Sequence, residues 1–175
     1  MYTSFDIERY IDYFVRYAVR ECYPYVNENC IARYVHSKFI PREIRTRLSH
    51  ELNRRFKELK TRIKEFVKKR LGLKFTVEDL VTRYIEYLKK RDWVDDWFRW
   101  GGHSVNLYDL WREYFHDIPW SEFLKTVKRF AKEITGIEYT HYFIYSEENA
   151  HSINIGVDTA KDILGSKIFE DLLSK

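Results

Sequence analysis

The sequence predicts a mainly α-helical protein with a small C-terminal β-hairpin, an α+β chain of 175 residues. Over residues 4–134 apolar side chains recur at three- and four-residue spacing, the period of an α-helix. Between residues 137 and 157 the period drops to two, in a stretch rich in β-branched and aromatic residues. Hydrophobic content of 45% and aromatic content of 18% supply a core and exclude general disorder.

Taken in order, SFDIERYIDYFVRYAVRE (residues 4–21) reads as an amphipathic helix with Ser4 or Asp6 near its cap. CYPYVNEN interrupts it through Pro24 and two asparagines, and CIARYVHSKFI follows as a short helix. Pro41 suits the first position of a long helix over 42–71. Its apolar positions are Ile44, Leu48, Leu52, Phe56, Leu59, Ile63, Phe66 and Leu71. Unbroken, that helix would be ~45 Å long, and Gly72 stops it. Thr76 and Asp79 stand at capping-box spacing before TVEDLVTRYIEYLKKR, which is expected to run on through DWVDDWFRW to Gly101. Along that run Trp93, Trp97 and Trp100 fall on one helical face and read as an aromatic core or a protein-partner interface.

NLYDLWREYF is the next helix, with Asn106 as its cap, and HDIP is a turn. WSEFLKTVKRFAKEITG then places Phe123, Leu124, Val127, Phe130, Ala131 and Ile134 on one stripe and stops at Gly136. IEYTHYFIY and AHSINIGV flank SEEN and read as a hairpin with a four-residue loop, in which Tyr145 pairs with Ala150. The tail reads as one broken helix or two short ones. The expected boundary lies near Gly72, dividing 1–72, a helical region with a long basic helix, from 73–175.

Charge is concentrated. Residues 42–70 hold twelve Lys or Arg against four Glu, a net of +8, so with a total of +4 the remaining chain sums to −4. Such concentration points to a polyanionic partner. The candidate contacts are Arg47, Arg54, Arg55, Lys57, Arg62, Lys64, Lys68, Lys69 and Arg70. The competing reading is a salt-bridged solvent face, with Glu58 offsetting Arg62 and Glu65 offsetting Lys69 at i, i+4. A second cationic face lies on the helix that starts at Trp120. There Lys125, Lys128, Arg129 and Lys132 can meet phosphates or base edges, with Ser121 and Thr126 as hydrogen-bonding neighbours.

Signs of catalysis are missing from the sequence. The six His show neither HxH nor HExxH spacing, and the predicted hairpin register puts His141 and His151 on opposite faces. RWGGHS lacks the phosphate-loop pattern, and GxSxG is absent. No enzyme activity, metal or cofactor is therefore expected, the alternative being a metal-dependent nuclease, for which Asp92, Asp95, Asp96 and Glu138 supply carboxylates but no linking motif. Cys22 and Cys30 either bridge a local loop or remain two buried thiols. The chain lacks Gln, has one Met and is 33% charged, a composition leaning toward a hyperthermophile and fitting a virus or plasmid of a hyperthermophilic archaeon. No apolar run reaches the ~20 residues of a membrane span, and MYTSFDIERYIDYF does not read as a signal peptide, so a cytoplasmic location is expected.

The order in NLYDLWREYF, HDIP, WSEFLKTVKRFAKEI and IEYTHYFIYSEENAHSINIGV resembles the winged helix-turn-helix superfamily. The resemblance covers about the C-terminal half of the chain and is one of pattern and order. It implies DNA binding, with 120–134 as the helix that enters the major groove and 137–157 as the flanking wing. The wing tip here carries Glu147 and Glu148, where many winged helices are basic, and the alternative is a hairpin turned to a protein or a second subunit. On this reading the protein is a DNA-binding regulator or replication factor, with a possible homodimer through 4–21 or the tail. The alternatives are a structural nucleoprotein or coat subunit that packs DNA, and a helical accessory subunit.

Overall fold

The computed structural model describes residues 4–22, 42–135 and 142–175. The protein is mainly helical with a small antiparallel sheet near the C-terminal end. It divides into two compact units, Met1–Leu73 and Lys74–Lys175.

In the first unit, α1 (Ser4–Cys22) packs against α2 (Arg42–Arg54) and α3 (Phe56–Leu71). The core takes Ile11 from α1, Ile44, Leu48 and Leu52 from α2, and Leu59, Ile63 and Val67 from α3. The single long helix expected over 42–71 is two helices. Arg55 departs from helical dihedrals at φ −105° and ψ 20°, although its amide still bonds to Glu51 and its carbonyl to Leu59. The buried stripe steps by four residues on each side of this break, and each such step overshoots a helical turn by ~40°. Val67 continues the stripe; Phe66 and Leu71, expected in it, are exposed. Gly72 closes α3 in the left-handed conformation, φ 68°. Cys22 is buried and disulfide-bonded. The chain's other cysteine, Cys30, lies outside the described residues, as do the predicted short helix 30–40, Pro41, Gly136 and His141.

In the second unit, α4 (Val77–Lys90) opens with the Thr76–Asp79 capping box, both reciprocal hydrogen bonds being formed. It stops short of the tryptophans. Asp92, at φ 60°, turns the chain before α5 (Val94–Trp100). A strand missed by the sequence reading follows, β1 (Ser104–Asn106). Then come α6 (Leu107–Tyr114), capped by the Asn106 side chain, and α7 (Trp120–Thr135). β2 (Phe143–Ser146) and β3 (Ser152–Ile155) form the hairpin, and α8 (Val157–Leu164) and α9 (Ser166–Ser174) end the chain.

The sheet order is β1-β3-β2, all antiparallel. Ile153 pairs with both Val105 and Tyr145, so the predicted pairing of Tyr145 with Ala150 is out of register. The loop is Glu147–His151, one residue longer than expected, and Ala150 and His151 both adopt positive φ. His151 thus sits in the turn, not on a strand face. Ile153, Ile155 and Phe143 are buried on the inner face with the α4 and α7 stripes.

Candidate nucleic-acid interface

The turn between α6 and α7 is fixed from within. The Phe115 amide donates to the Trp111 carbonyl, the Ile118 amide to the Phe115 carbonyl, and the Trp111 indole N–H reaches back to the Ile118 carbonyl at 2.6 Å. Trp120 then packs its ring 5.4 Å from Trp111 and 5.5 Å from Tyr108. These aromatics therefore shape the entry to α7.

Along α7, Phe123, Val127, Phe130 and Ile134 are fully buried. Ser121, Lys125, Lys128, Arg129 and Lys132 are exposed. At about 100° per residue the exposed set spans roughly 100° of the helix surface, opposite the core stripe. The predicted cations thus share one open face, with Glu122 and Glu133 at its margin. Thr126 does not belong to it. It is buried and its hydroxyl donates to the Glu122 carbonyl at 2.9 Å, because its position on the wheel falls at the edge of the core.

The hairpin stands beside this face. β2 packs on α7, and the Thr135 hydroxyl donates to the Phe143 carbonyl at 3.4 Å. Lys128 Nζ meets the Glu147 carboxylate of the hairpin loop at 3.3 Å. Pairing β3 with β1 ties the hairpin to the segment before α6, and the Leu107 amide bonds to the His151 carbonyl at 2.9 Å. The helix and the loop are held as one surface.

In the first unit the structure divides the predicted cations. Arg54 bonds Glu51 at 2.6 Å and holds that carboxyl below its ordinary pKa. Arg55 is clamped between Glu58, at 2.8 Å, and Glu8 of α1, and these hydrogen bonds raise its already high pKa. Arg62 pairs with Asp12 of α1 at 2.5 Å rather than with Glu58 as expected. Arg55 and Arg62 therefore tie α1 to the rest of the unit, Arg54 pairs within its own helix, and Arg55, the least exposed, is removed as a phosphate contact. Arg47, Lys57, Lys69 and Arg70 are exposed, and Lys64 and Lys68 are half-buried. Sequence reasoning missed the pairs with Glu8 and Asp12 because they join residues 47 and 50 positions apart.

The three tryptophans differ in burial. Trp97 is fully buried and donates its indole N–H to the Ile155 carbonyl at 2.8 Å. Trp93 stacks on His103 at 4.6 Å, and Trp100 is 77% exposed. Trp93 caps α5 and its carbonyl accepts from the Trp97 amide at 3.0 Å, so the three tryptophans differ in burial and not in helical register. Among the described residues no group of three or more His, Cys, Asp or Glu is placed to hold a metal ion. No described helix is long and apolar enough to cross a membrane. No protein-family model, no curated protein and no solved structure matches this chain.

Proposed function

We propose that the chain is a duplex-DNA-binding protein, a regulator or replication-associated factor, that presents α7 to the major groove in a winged-helix-like arrangement. The observation that carries this reading is the cationic face of α7, which lies opposite the helix's buried stripe and beside the β2–β3 hairpin. Helix, turn, helix and hairpin follow in the order that the winged-helix resemblance requires, and β1 adds the strand that pins the hairpin. Ser121, Lys125, Arg129 and Lys132 supply hydrogen bonds and charge along about three turns, and neutralised phosphates release counterions. The hairpin loop, whose Glu147 already offsets Lys128, serves to orient the helix and makes no phosphate contact of its own.

The test is fluorescence anisotropy on a random duplex at several salt concentrations. The wild type is expected to bind with a steep salt slope. Changing Lys125, Arg129 and Lys132 together to Gln is expected to flatten that slope by up to ~3 and weaken binding by at least about tenfold. Equal affinity and slope for both proteins, with matching circular dichroism, would remove α7 from the interface.

One observation favours a second reading, an accessory subunit that docks a protein. Trp100 leaves 77% of its surface exposed and Phe98 leaves 47%, on a helix of seven residues. Exposed aromatics of this kind are typical anchors of protein interfaces.

A further inference from the structure

Four side chains form a chain of polar contacts from α7 into the hairpin. Lys128 Nζ lies 3.3 Å from Oε1 of Glu147. The same oxygen accepts from the Tyr145 hydroxyl at 3.4 Å, and that hydroxyl lies 3.1 Å from Nδ1 of His151. Lys128 and Glu147 are exposed, and Tyr145 and His151 are half-buried. The His151 ring is held in place. Its carbonyl accepts the Leu107 amide at 2.9 Å, its ring stacks on Tyr145, and the Trp120 ring meets it edge-on at 5.9 Å. The elements packed around it bring few charges. The loop offers Glu147 and Glu148, and α7 offers Lys128, while Glu122 lies ~200° round that helix from Trp120. On α6 the nearest acid, Asp109, is paired with Arg112 at 3.5 Å.

We infer that Tyr145 and His151 are positioning residues for the α7 face, and that protonation of His151 frees Lys128 from Glu147, so that duplex affinity rises in mild acid. The inference rests on the proposal that α7 binds duplex DNA, and it adds the regulation of that site. Proton counting carries it. The Tyr145 hydroxyl has one proton and two acceptors within reach, Glu147 and Nδ1 of His151. Burial and the neighbouring Glu147 charge hold the Tyr145 phenol above its ordinary pKa, so it keeps that proton. In a neutral imidazole protonated on Nε2, Nδ1 accepts and competes with Glu147 for the hydroxyl. In the imidazolium, Nδ1 carries the new proton and donates to the hydroxyl oxygen, which leaves the hydroxyl proton to Glu147. The carboxylate then has a second cation to offset. Before protonation Glu147 cancels Lys128; afterwards it is matched by His151, and the hairpin and helix together gain one positive charge. Imidazole is the side chain whose charge changes between pH 5 and 8, and histidines beside a charged partner serve as such switches. The acidic loop thereby becomes an adjustable mask on a cationic helix.

The test uses the full chain and a random duplex, with anisotropy titrations at several salt concentrations at pH 5.5 and at pH 7.5. Four proteins are compared: wild type, His151→Asn, Tyr145→Phe and Glu147→Gln. Asparagine tolerates the left-handed backbone at position 151, φ 54°, and thermal melting at both pH values checks each fold. The wild type is expected to bind about threefold or more tightly at the lower pH, with a salt slope steeper by ~1. Other histidines also titrate, among them the exposed His116, so the readout is the difference between each variant and wild type. His151→Asn is expected to lose the added slope, and Tyr145→Phe, which keeps the ring but breaks the relay, to lose most of it. Glu147→Gln should show the steep slope at both pH values, since its mask is gone. A purely structural role for Tyr145 or His151 would shift affinity equally at the two pH values. A His151→Asn protein with the full pH dependence of wild type overturns the inference and leaves the α7 reading standing. A wild type that binds no duplex at either pH, even at low salt, overturns both.

Discussion

Nζ of Lys128, on α7, lies 3.3 Å from the carboxylate of Glu147 in the hairpin loop. The pair explains how an acidic loop can stand beside a cationic helix. Both side chains are well exposed, so the pair contributes little to stability. Its larger effect is on the field of the face, where it cancels one charge in every encounter with a polyanion. Glu147→Gln is therefore expected to tighten duplex binding severalfold and to steepen the salt slope by ~1. Melting temperature should hardly change. Anisotropy titrations at three salt concentrations read the effect, and an unchanged slope would mean that Lys128 does not meet phosphate.

Tyr84 and Trp97 both bond to the backbone of Ile155. The Tyr84 hydroxyl donates to the His103 carbonyl and accepts the Ile155 N–H, while the Trp97 indole donates to the Ile155 carbonyl. Burial pushes the Tyr84 phenol well above its ordinary pKa, so it stays protonated as a donor. Tyr84→Phe is expected to cost ~1–3 kcal/mol and Trp97→Phe a similar amount, because each leaves a buried backbone group unpaired. With the rings 6.0 Å apart and one residue shared, the double variant should cost less or more than the two singles together. Denaturant melts of the four proteins measure this coupling, and strict additivity would separate the two contacts.

Glu113 accepts two hydrogen bonds from Arg91, which stands over the Tyr87 ring at 3.4 Å. The Arg91 guanidinium holds the Glu113 carboxyl below its ordinary pKa. The folded state thus gives up this proton more readily than the unfolded chain. The pair's contribution is complete above the unfolded carboxylate value of about 4.3 and is lost as pH falls through the lower folded value. Glu113→Gln is expected to cost ~1–2 kcal/mol at neutral pH. The difference from wild type should vanish near pH ~2. Urea unfolding at both pH values is the measurement, and a difference that persists in acid would assign it to packing rather than charge.

Features set by neighbours in sequence were legible. The Thr76–Asp79 box, the Asn106 cap and the Gly72 stop each depend on residues within one turn. So was the buried stripe of α7, because a period of three to four persists over sixteen residues. Features decided at a distance were not. β1 is three residues long, and only its pairing with β3 makes it a strand. Arg55 and Arg62 look like open cations until α1 brings Glu8 and Asp12 to them.

The hairpin register was the sharpest error, and its cause can be tested. A four-residue loop was expected because two runs rich in β-branched and aromatic residues flank the polar SEEN. In the structure Ala150 takes φ 56° and His151 takes φ 54°, and this pair of left-handed residues lets Ser146 face Ser152. An alanine there brings Cβ against the following carbonyl, a strain of ~1–2 kcal/mol that glycine avoids. Glycine returns part of that gain by freeing the unfolded chain. Ala150→Gly is therefore expected to stabilise the second unit by ~0.5–1 kcal/mol, read as a higher denaturation midpoint at unchanged slope. The opposite sign, a loss of similar size, is what the shorter loop predicts, because Ala150 would then sit paired to Tyr145 in extended backbone, where glycine weakens a strand.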